Sequence, residues 1–401
     1  MGERVPKGQR RFTVRERQRL LDNMPRSWPR LLAAVSVIAA AIGGAAACAP
    51  ERPLVATPPV SGPVTTAIDT AWTARLQRAL DSAVRTAPVR GASAAVVLAD
   101  GREWRGTAGL SEPGVPMDPA MRLGIGSISK NITAALLVRL AEQGRLSLDD
   151  PLSRWLPPIA HVDPAITVRQ VLNHTSGVFD LTDFPGYRDS ILANVSAKWT
   201  PQRALALLRP PLFPRGTGWS YSNSNYQLAG LVAEAVMLRP VHEGVRAELL
   251  TPLALSSMFL DQAEPPTGLL ASGWVGGTFN VMSTRTSTYS AAWMAGAYFA
   301  TASDLARWWQ ALMTGRVVNA TSLAAMTTPA GPENYGLGVV RRVLAGRTIW
   351  SHTGEIRGFS SVGLHDPAKR ASLVVLVNEN PGPAVGIAGA LLTIVAGMAT
   401  P

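Results

Sequence analysis

Cysteine is nearly absent from this chain of 401 residues. Cys48 stands alone, which excludes an intrachain disulfide and a cysteine-rich zinc site, and no metal or cofactor is expected. Lysine is almost as scarce: Lys7, Lys130, Lys198 and Lys369 are the whole complement, although Lys and Arg together number 38. A lysine at a motif position therefore carries information. Acidic residues number 27, and the formal charge of +11 resembles that of a nucleic-acid binder until its location is read. Nine Arg or Lys and three Asp or Glu precede Cys48, which leaves 29 basic against 24 acidic residues in the rest. The excess is partly a targeting feature, and no nucleic-acid partner is expected. Long apolar runs are missing too, since residues 31–47 and 385–400 both fall short of the roughly 20 residues a bilayer demands. With 47% hydrophobic residues the chain can still bury a large core as one or two domains.

The first apolar run follows Arg26 and Arg30 and ends at Cys48-Ala49-Pro50. A basic start, an apolar middle and small residues before a cut describe an export signal over 1–47. Met24 is an alternative start that gives a signal of ordinary proportions. Ala45-Ala46-Ala47-Cys48 resembles a bacterial lipobox, so Cys48 is the candidate lipidation site. Residues 48–68, rich in Pro, Thr and Val, read as a tether. The expectation is a membrane-anchored lipoprotein facing the periplasm or the cell exterior, with its folded domain over 69–401.

Within that domain, Trp72, Leu76, Leu80 and Val84 recur at four-residue steps and predict a first helix over 69–85. Residues 93–99 and 103–110 read as a hairpin turned at Asp100-Gly101. Gly-rich, β-branched segments return at 336–343, 347–350, 360–365 and 372–378, and 385–400 reads as a C-terminal helix packed on the sheet. Strands at both ends with helices between predict an α+β fold: an antiparallel sheet built from the N- and C-terminal segments, flanked by helices, with a helix-rich insert over about 131–295.

Three motifs carry the chemistry. Ser127-Ile128-Ser129-Lys130 follows Gly124-Ile125-Gly126 and leads a helical run over 131–143. Residues three apart share a helix face, which brings Lys130 beside the Ser127 hydroxyl. A serine needs a base, and a buried lysine can lose its proton near neutral pH. Free N–H groups at the helix end can face an oxyanion. Taken alone, the tetrapeptide also fits a helix-capping serine with a solvent-facing lysine. Next, Tyr221-Ser222-Asn223 lies ahead of an apolar helix over 228–236, placing Tyr221 and Asn223 on a loop able to face the serine. There the phenol can exchange protons with the attacking serine and the leaving group, while Asn223 holds Lys130. Finally, His352-Thr353-Gly354 is read as the end of a strand before Glu355, a strand edge whose backbone can pair with an extended acyl substrate. His161, His174, His242 and His365 read as structural.

Together these residues resemble the penicillin-recognising serine hydrolases: class C β-lactamases, the related D-alanyl-D-alanine carboxypeptidases and the esterases of that superfamily. The resemblance covers about 70–398 and includes Leu172-Asn173-His174-Thr175-Ser176-Gly177, Tyr335-Gly336-Leu337-Gly338 and Val374-Val375-Leu376-Val377-Asn378. It implies a β-lactamase/transpeptidase-like fold, Ser127 as the acylated residue, Lys130 and Tyr221 as acid/base pair and Asn223 as organiser. It also implies an oxyanion hole from the Ser127 and Glu355 N–H groups, and substrate contacts along His352, Thr353, Gly354 and Glu355. The implied substrates are D-Ala-D-Ala peptides of peptidoglycan, β-lactams or small esters and amides; the alternative is a lipoprotein that binds or senses such ligands without turnover. Arg169 stands where class A enzymes carry a water-activating glutamate. His352 stands where most β-lactamases carry lysine, so recognition of a substrate carboxylate would fall to His352 protonated toward pH 6, or to Arg341, Arg342 or Arg357.

Overall fold

The computed structural model describes residues 69–87 and 89–398; the expected export signal, Cys48 and the expected tether lie outside the described residues. The chain opens with helix α1 (Thr70–Thr86), whose N-terminus is capped by the Asp69 carboxylate accepting from Ala71 N–H at 2.9 Å. Strands β1 (Gly91–Val97) and β2 (Glu103–Glu112) follow as the expected hairpin, with short β3 (Val115–Pro116) beyond it and β4 (Leu123–Gly124) leading to the first motif. A single 3₁₀ turn (Gly126–Ile128) then runs into α2 (Ser129–Glu142). Mostly short helices come next: α3 (Val168–Leu172), α4 (Tyr187–Leu192), α5 (Pro201–Leu205), α6 (Asn223–Met237) and α7 (Val241–Val245). The insert also holds the two-residue strands β5 (Phe259–Leu260), β6 (Trp274–Val275) and β7 (Phe279–Asn280), ahead of α8 (Arg285–Ala292). After it run β8 (Tyr298–Ala300), α9 (Ala302–Met313) and α10 (Ala320–Met326), then β9 (Val340–Leu344), β10 (Arg347–Ile356), β11 (Phe359–Asp366), β12 (Ala371–Val377) and α11 (Ala384–Ala396).

The main sheet has seven antiparallel strands in the order β3-β2-β1-β12-β11-β10-β9. First and last strands of the domain thus meet at its centre, with Ala92 opposite Val377 and Val97 opposite Ser372. Strands β1, β11 and β12 are buried at every position, which requires cover on both faces and accounts for the mostly apolar sequences of β1 and β12. Alternation assigns the two sides. Leu373, Val375 and Val377 join Leu76 and Leu80 of α1 and Ile387 and Leu391 of α11 in one core, whereas Val374 and Leu376 join Leu136 of α2 and Trp308 and Trp309 of α9 in the other. The apolar C-terminal segment is therefore a helix on the sheet, and among the described residues no helix is long and apolar enough to cross a membrane.

Two boundaries differ from those read in the sequence. The strand expected over 347–350 continues to Ile356, so His352-Thr353-Gly354 lies inside β10 and not at its end. Helix α6 begins at Asn223, five residues before the apolar run that announced it, because its first turn buries Ser224, Asn225 and Tyr226 against α3 and its flanking loops. Polar residues that are buried leave no periodic signal.

Gly363 of β11 supports Trp309 of α9 directly: a Cβ there would stand 2.0 Å from the indole nitrogen. Trp309 is fully buried and cannot retreat. Gly363→Ala is expected to destabilise the domain by about 1–3 kcal/mol. Urea unfolding checks it: the midpoint should fall while the slope stays constant.

Candidate active site

Backbone contact sets the geometry. Gly126 has φ +50°, and a Cβ on it would meet Glu355 N at 2.7 Å; a Cβ on Gly354 would lie 2.0 Å from Ile125 O. These two glycines let β10 press against the turn that carries Ser127. Ser361 ties them, its hydroxyl donating to Ile125 O at 2.8 Å. Because β9 pairs only with Arg347 to Ser351, no strand among the described residues pairs with the outer edge of β10 at positions 352–356.

Lys130 follows Ser127 by one turn and is fully buried. Its Nζ lies 3.0 Å from Ser127 Oγ, 2.7 Å from Asn223 Oδ1 and 2.7 Å from the Ala295 carbonyl. The last two atoms can only accept. As an ammonium the lysine donates to all three; as a neutral amine it gives both hydrogens to Asn223 and Ala295, and its lone pair is left for the Ser127 hydroxyl to donate into. Burial lowers its pKa to about 7, against an opposing pull from Asp180. Both forms are thus accessible near neutrality.

Tyr221 completes the group. Lys130 Nζ sits 4.9 Å from its ring centre. Burial raises the phenol well above its ordinary pKa, outweighing the opposing influence of the Ser127 hydroxyl, so the resting group is a proton donor. Behind it, the His174 ring lies 4.5 Å away centre to centre, and His174 Nδ1 accepts from Ser222 N–H at 3.1 Å. Burial, then the nearby Lys130 charge, hold His174 neutral, so its structural role is that of a wall fixing the tyrosine.

His352 is 3% exposed. Its Nδ1–H donates to Thr353 O at 2.6 Å, which leaves Nε2 to accept from the Tyr335 hydroxyl at 2.9 Å. Burial, then the Lys130 charge, lower its pKa to about 3. The expectation that His352 gains a proton toward pH 6 therefore fails, because burial is not visible in the sequence. Of the three arginines, Arg342 lines a cavity of about 310 Å³ together with Ser127, Tyr221, His352, Thr353 and Glu355. Arg341 lines an adjoining surface hollow that shares Glu333 and Arg342 with this cavity, and Arg357 lies 5.6 Å from the Phe279 ring centre. A second cavity of about 200 Å³ opens from Ser127 and Glu355 toward Leu181, Tyr187, Ile191 and Ala292.

Asp180, Ala295, Tyr335 and the Gly126 and Gly354 contact were not read from the sequence as parts of the site. Asp180 accepts from Asn223 Nδ2 at 3.0 Å, and Ala295 acts through its carbonyl, to which any residue contributes equally. Among the described residues no group of three His, Cys, Asp or Glu is placed to hold a metal ion.

Esterase EstB of Burkholderia gladioli is 31% identical over 207 residues, covering 48% of this chain and 52% of the esterase. A D-aminopeptidase of Brucella anthropi is 28% identical over 344 residues, 80% of this chain and 63% of the relative. The chain thus spans between about half and two thirds of the length of these curated relatives. Among solved structures, a D-stereospecific amidohydrolase from Streptomyces sp. matches with a TM-score of 0.71 at 31% identity, covering 82% of this chain and 99% of that one. A D-amino acid amidase from Ochrobactrum anthropi SV3 shares the fold, with a TM-score of 0.72 at 23% identity over 81% and 99% of the two chains. The beta-lactamase family model matches residues 76–397, nearly the whole described domain, and the chain belongs to that family of hydrolases.

Proposed function

We propose that this protein hydrolyses small amides and esters through an acyl-enzyme on Ser127, and that D-aminoacyl amides and peptides are among its substrates. One observation carries the reading: both hydrogens of a neutral Lys130 are committed to Asn223 and Ala295, so its lone pair is held on Ser127. In the first step Ser127 Oγ bonds to the acyl carbon while its proton passes to Lys130 Nζ. Backbone N–H groups of Ser127 and Glu355 steady the oxyanion. Tyr221 then gives its proton to the departing nitrogen or oxygen as that bond breaks, and recovers one from the lysine ammonium. Water attacks the ester in the second half, with the same groups acting in reverse.

The substrate class follows from charge. Arg342 is the single cation among the residues lining the cavity of about 310 Å³ at Ser127, against Glu333 and Glu355, and His352 is neutral. A carboxylate beside the scissile bond meets a wall with net negative character, which favours neutral esters and aminoacyl amides over penicillins. The esterase, D-aminopeptidase and amidohydrolase among the relatives support that choice by their names. Export with lipidation at Cys48 is proposed on the sequence alone.

Mass spectrometry after a fluorophosphonate is expected to place the adduct on Ser127; an adduct on Ser129 or Ser222 would overturn the assignment. Lys130→Met and Tyr221→Phe should each slow acylation on the order of 10²- to 10⁴-fold. The double variant should be little worse than the slower single, because the two groups move one proton, whereas multiplicative losses would show independent roles.

The pH profile gives a further check. Activity requires the unprotonated amine, so kcat/KM for a neutral ester should fall as pH drops through about 7, the pKa of Lys130. An anionic substrate should show the same limb and no extra gain toward pH 6, since His352 stays neutral down to about 3. Initial rates for nitrocefin and p-nitrophenyl acetate between pH 5 and 9 test both statements, and nitrocefin should remain slower on the order of tenfold.

A further inference from the structure

Asn223 faces Lys130 with its amide oxygen, and something must keep that amide from turning over. An asparagine side chain presents an acceptor and a donor of nearly equal shape, so its orientation belongs to its partners. On the side away from Lys130, Asn223 Nδ2 donates to Asp180, at 3.0 Å to Oδ2 and 3.4 Å to Oδ1, with Thr182 Oγ1 at 3.4 Å. A carboxylate accepts only. Turning the amide would set its carbonyl against that carboxylate and its NH₂ against the lysine hydrogens. We propose that Asp180 is a positioning residue: its buried carboxylate locks the Asn223 amide so that the amide oxygen holds Lys130, which keeps the lysine lone pair on Ser127.

A plainer account of Asp180 exists. It caps the 3₁₀ turn at Leu181–Asp183, its Oδ1 accepting from Thr182 N–H at 3.0 Å. A cap uses one oxygen, and Ser, Thr or Asn supplies it equally well. Here the second oxygen goes to Asn223, and the residue is only 5% exposed, a costly place for a carboxylate whose sole duty is a surface cap. The negative charge also acts on the lysine: Asp180 raises the proton affinity that burial lowers, which brings Lys130 to about 7. A base poised near the working pH is the most effective one.

Other groups around the pair do not supply this. Lys130 is faced by Ser127, by the rings of Tyr221 and Tyr226, and by His174 and His352, both held neutral in part by the lysine itself. Asp180 is faced by Asp183 and Tyr187, whose pKa values it raises along with that of Tyr221. Among the described residues Asp180 is the one acid whose charge acts on Lys130. The inference rests on the hydrolase reading for its consequence and on the four side chains for its geometry.

Scarcity of lysine makes the test direct. Protein labelled with ¹³Cε-lysine shows resonances from only Lys7, Lys130, Lys198 and Lys369, so Lys130 can be titrated without any substrate. In the wild type its midpoint should lie near 7. Asp180→Asn keeps one acceptor oxygen but removes the charge, and should move the midpoint down by roughly one pH unit. Asp180→Ala removes the acceptor as well and should also slow phosphonylation of Ser127 by about 100-fold at pH 8.5, where the lysine is mostly neutral in every variant. An unchanged Lys130 midpoint in Asp180→Asn, or wild-type phosphonylation in a folded Asp180→Ala, overturns the assignment. Should Asp180→Ala fail to fold, the Asp180→Asn titration decides alone. A shifted midpoint in a protein whose wild-type Ser127 resists the fluorophosphonate would retain Asp180 in its role and remove the hydrolase reading.

Discussion

Everything in this site depends on a lysine kept from water. Lys130 has no exposed surface, and an ammonium taken out of water loses solvation that three neutral acceptors restore only in part. The protein meets that loss by bringing the charged and neutral forms close in energy. Most of what surrounds Lys130 follows from this: Asn223 and a main-chain carbonyl accept from it, aromatic faces line it, and a single acid stands one amide away. Lys130 is thus held by groups that contact either form, and the small motion of one proton replaces any rearrangement of side chains.

Such a lysine needs a rigid cage, and the fold supplies one from distant parts of the chain. The 3₁₀ turn ahead of α2 brings Ser127, the first turn of α2 brings Lys130, the start of α6 brings Asn223, and the segment after α8 brings Ala295. β10 closes the remaining side because Gly126 and Gly354 allow its backbone within van der Waals contact of the nucleophile turn. Two sheet faces covered by helices fix where those elements stand. The central pairing of β1 with β12 therefore contributes to geometry as much as to stability, since any shift of β12 is passed through β11 to β10 and its free edge.

Legibility in the sequence follows the same physics. The α+β layout was readable because strands buried on both sides are written as apolar runs, and α1 was readable because its buried face repeats at helical spacing. Ser127 and Lys130 are legible from their spacing on a helix, and Tyr221, Asn223 and His352 to Glu355 from short motifs and the family they resemble; Ser127, Tyr221, Asn223, His352, Thr353 and Glu355 line two adjoining cavities, with Lys130 buried behind Ser127. What spacing does not encode stayed hidden. Asp180 meets Asn223 only through tertiary contact, 43 residues apart, and Ala295 contributes an atom common to every residue. The early start of α6 was missed because buried polar side chains break the apolar pattern that marks a helix. Burial itself is the largest omission, for with the Lys130 charge it turns His352 from an expected pH sensor into a neutral strut.

That neutral histidine is consistent with the lysine beside it. A second permanent cation at position 352 would face Lys130 across the same cavity, and like charges in a desolvated site each suppress the other's protonated form. Lys130 already lowers the protonation of His352 and His174, so the direction of this coupling is visible in the structure. Added charge at 352 would hold the Lys130 amine neutral more firmly, but would also penalise the ammonium that must form when Ser127 gives up its proton. With histidine there, locked by Tyr335 and Thr353 O, the ammonium formed during acylation meets only neutral dipoles and the distant pull of Asp180. The site thereby forgoes a charge with which to grip an anionic substrate and retains one for moving a proton, which is the balance that the proposed action on neutral esters and aminoacyl amides requires.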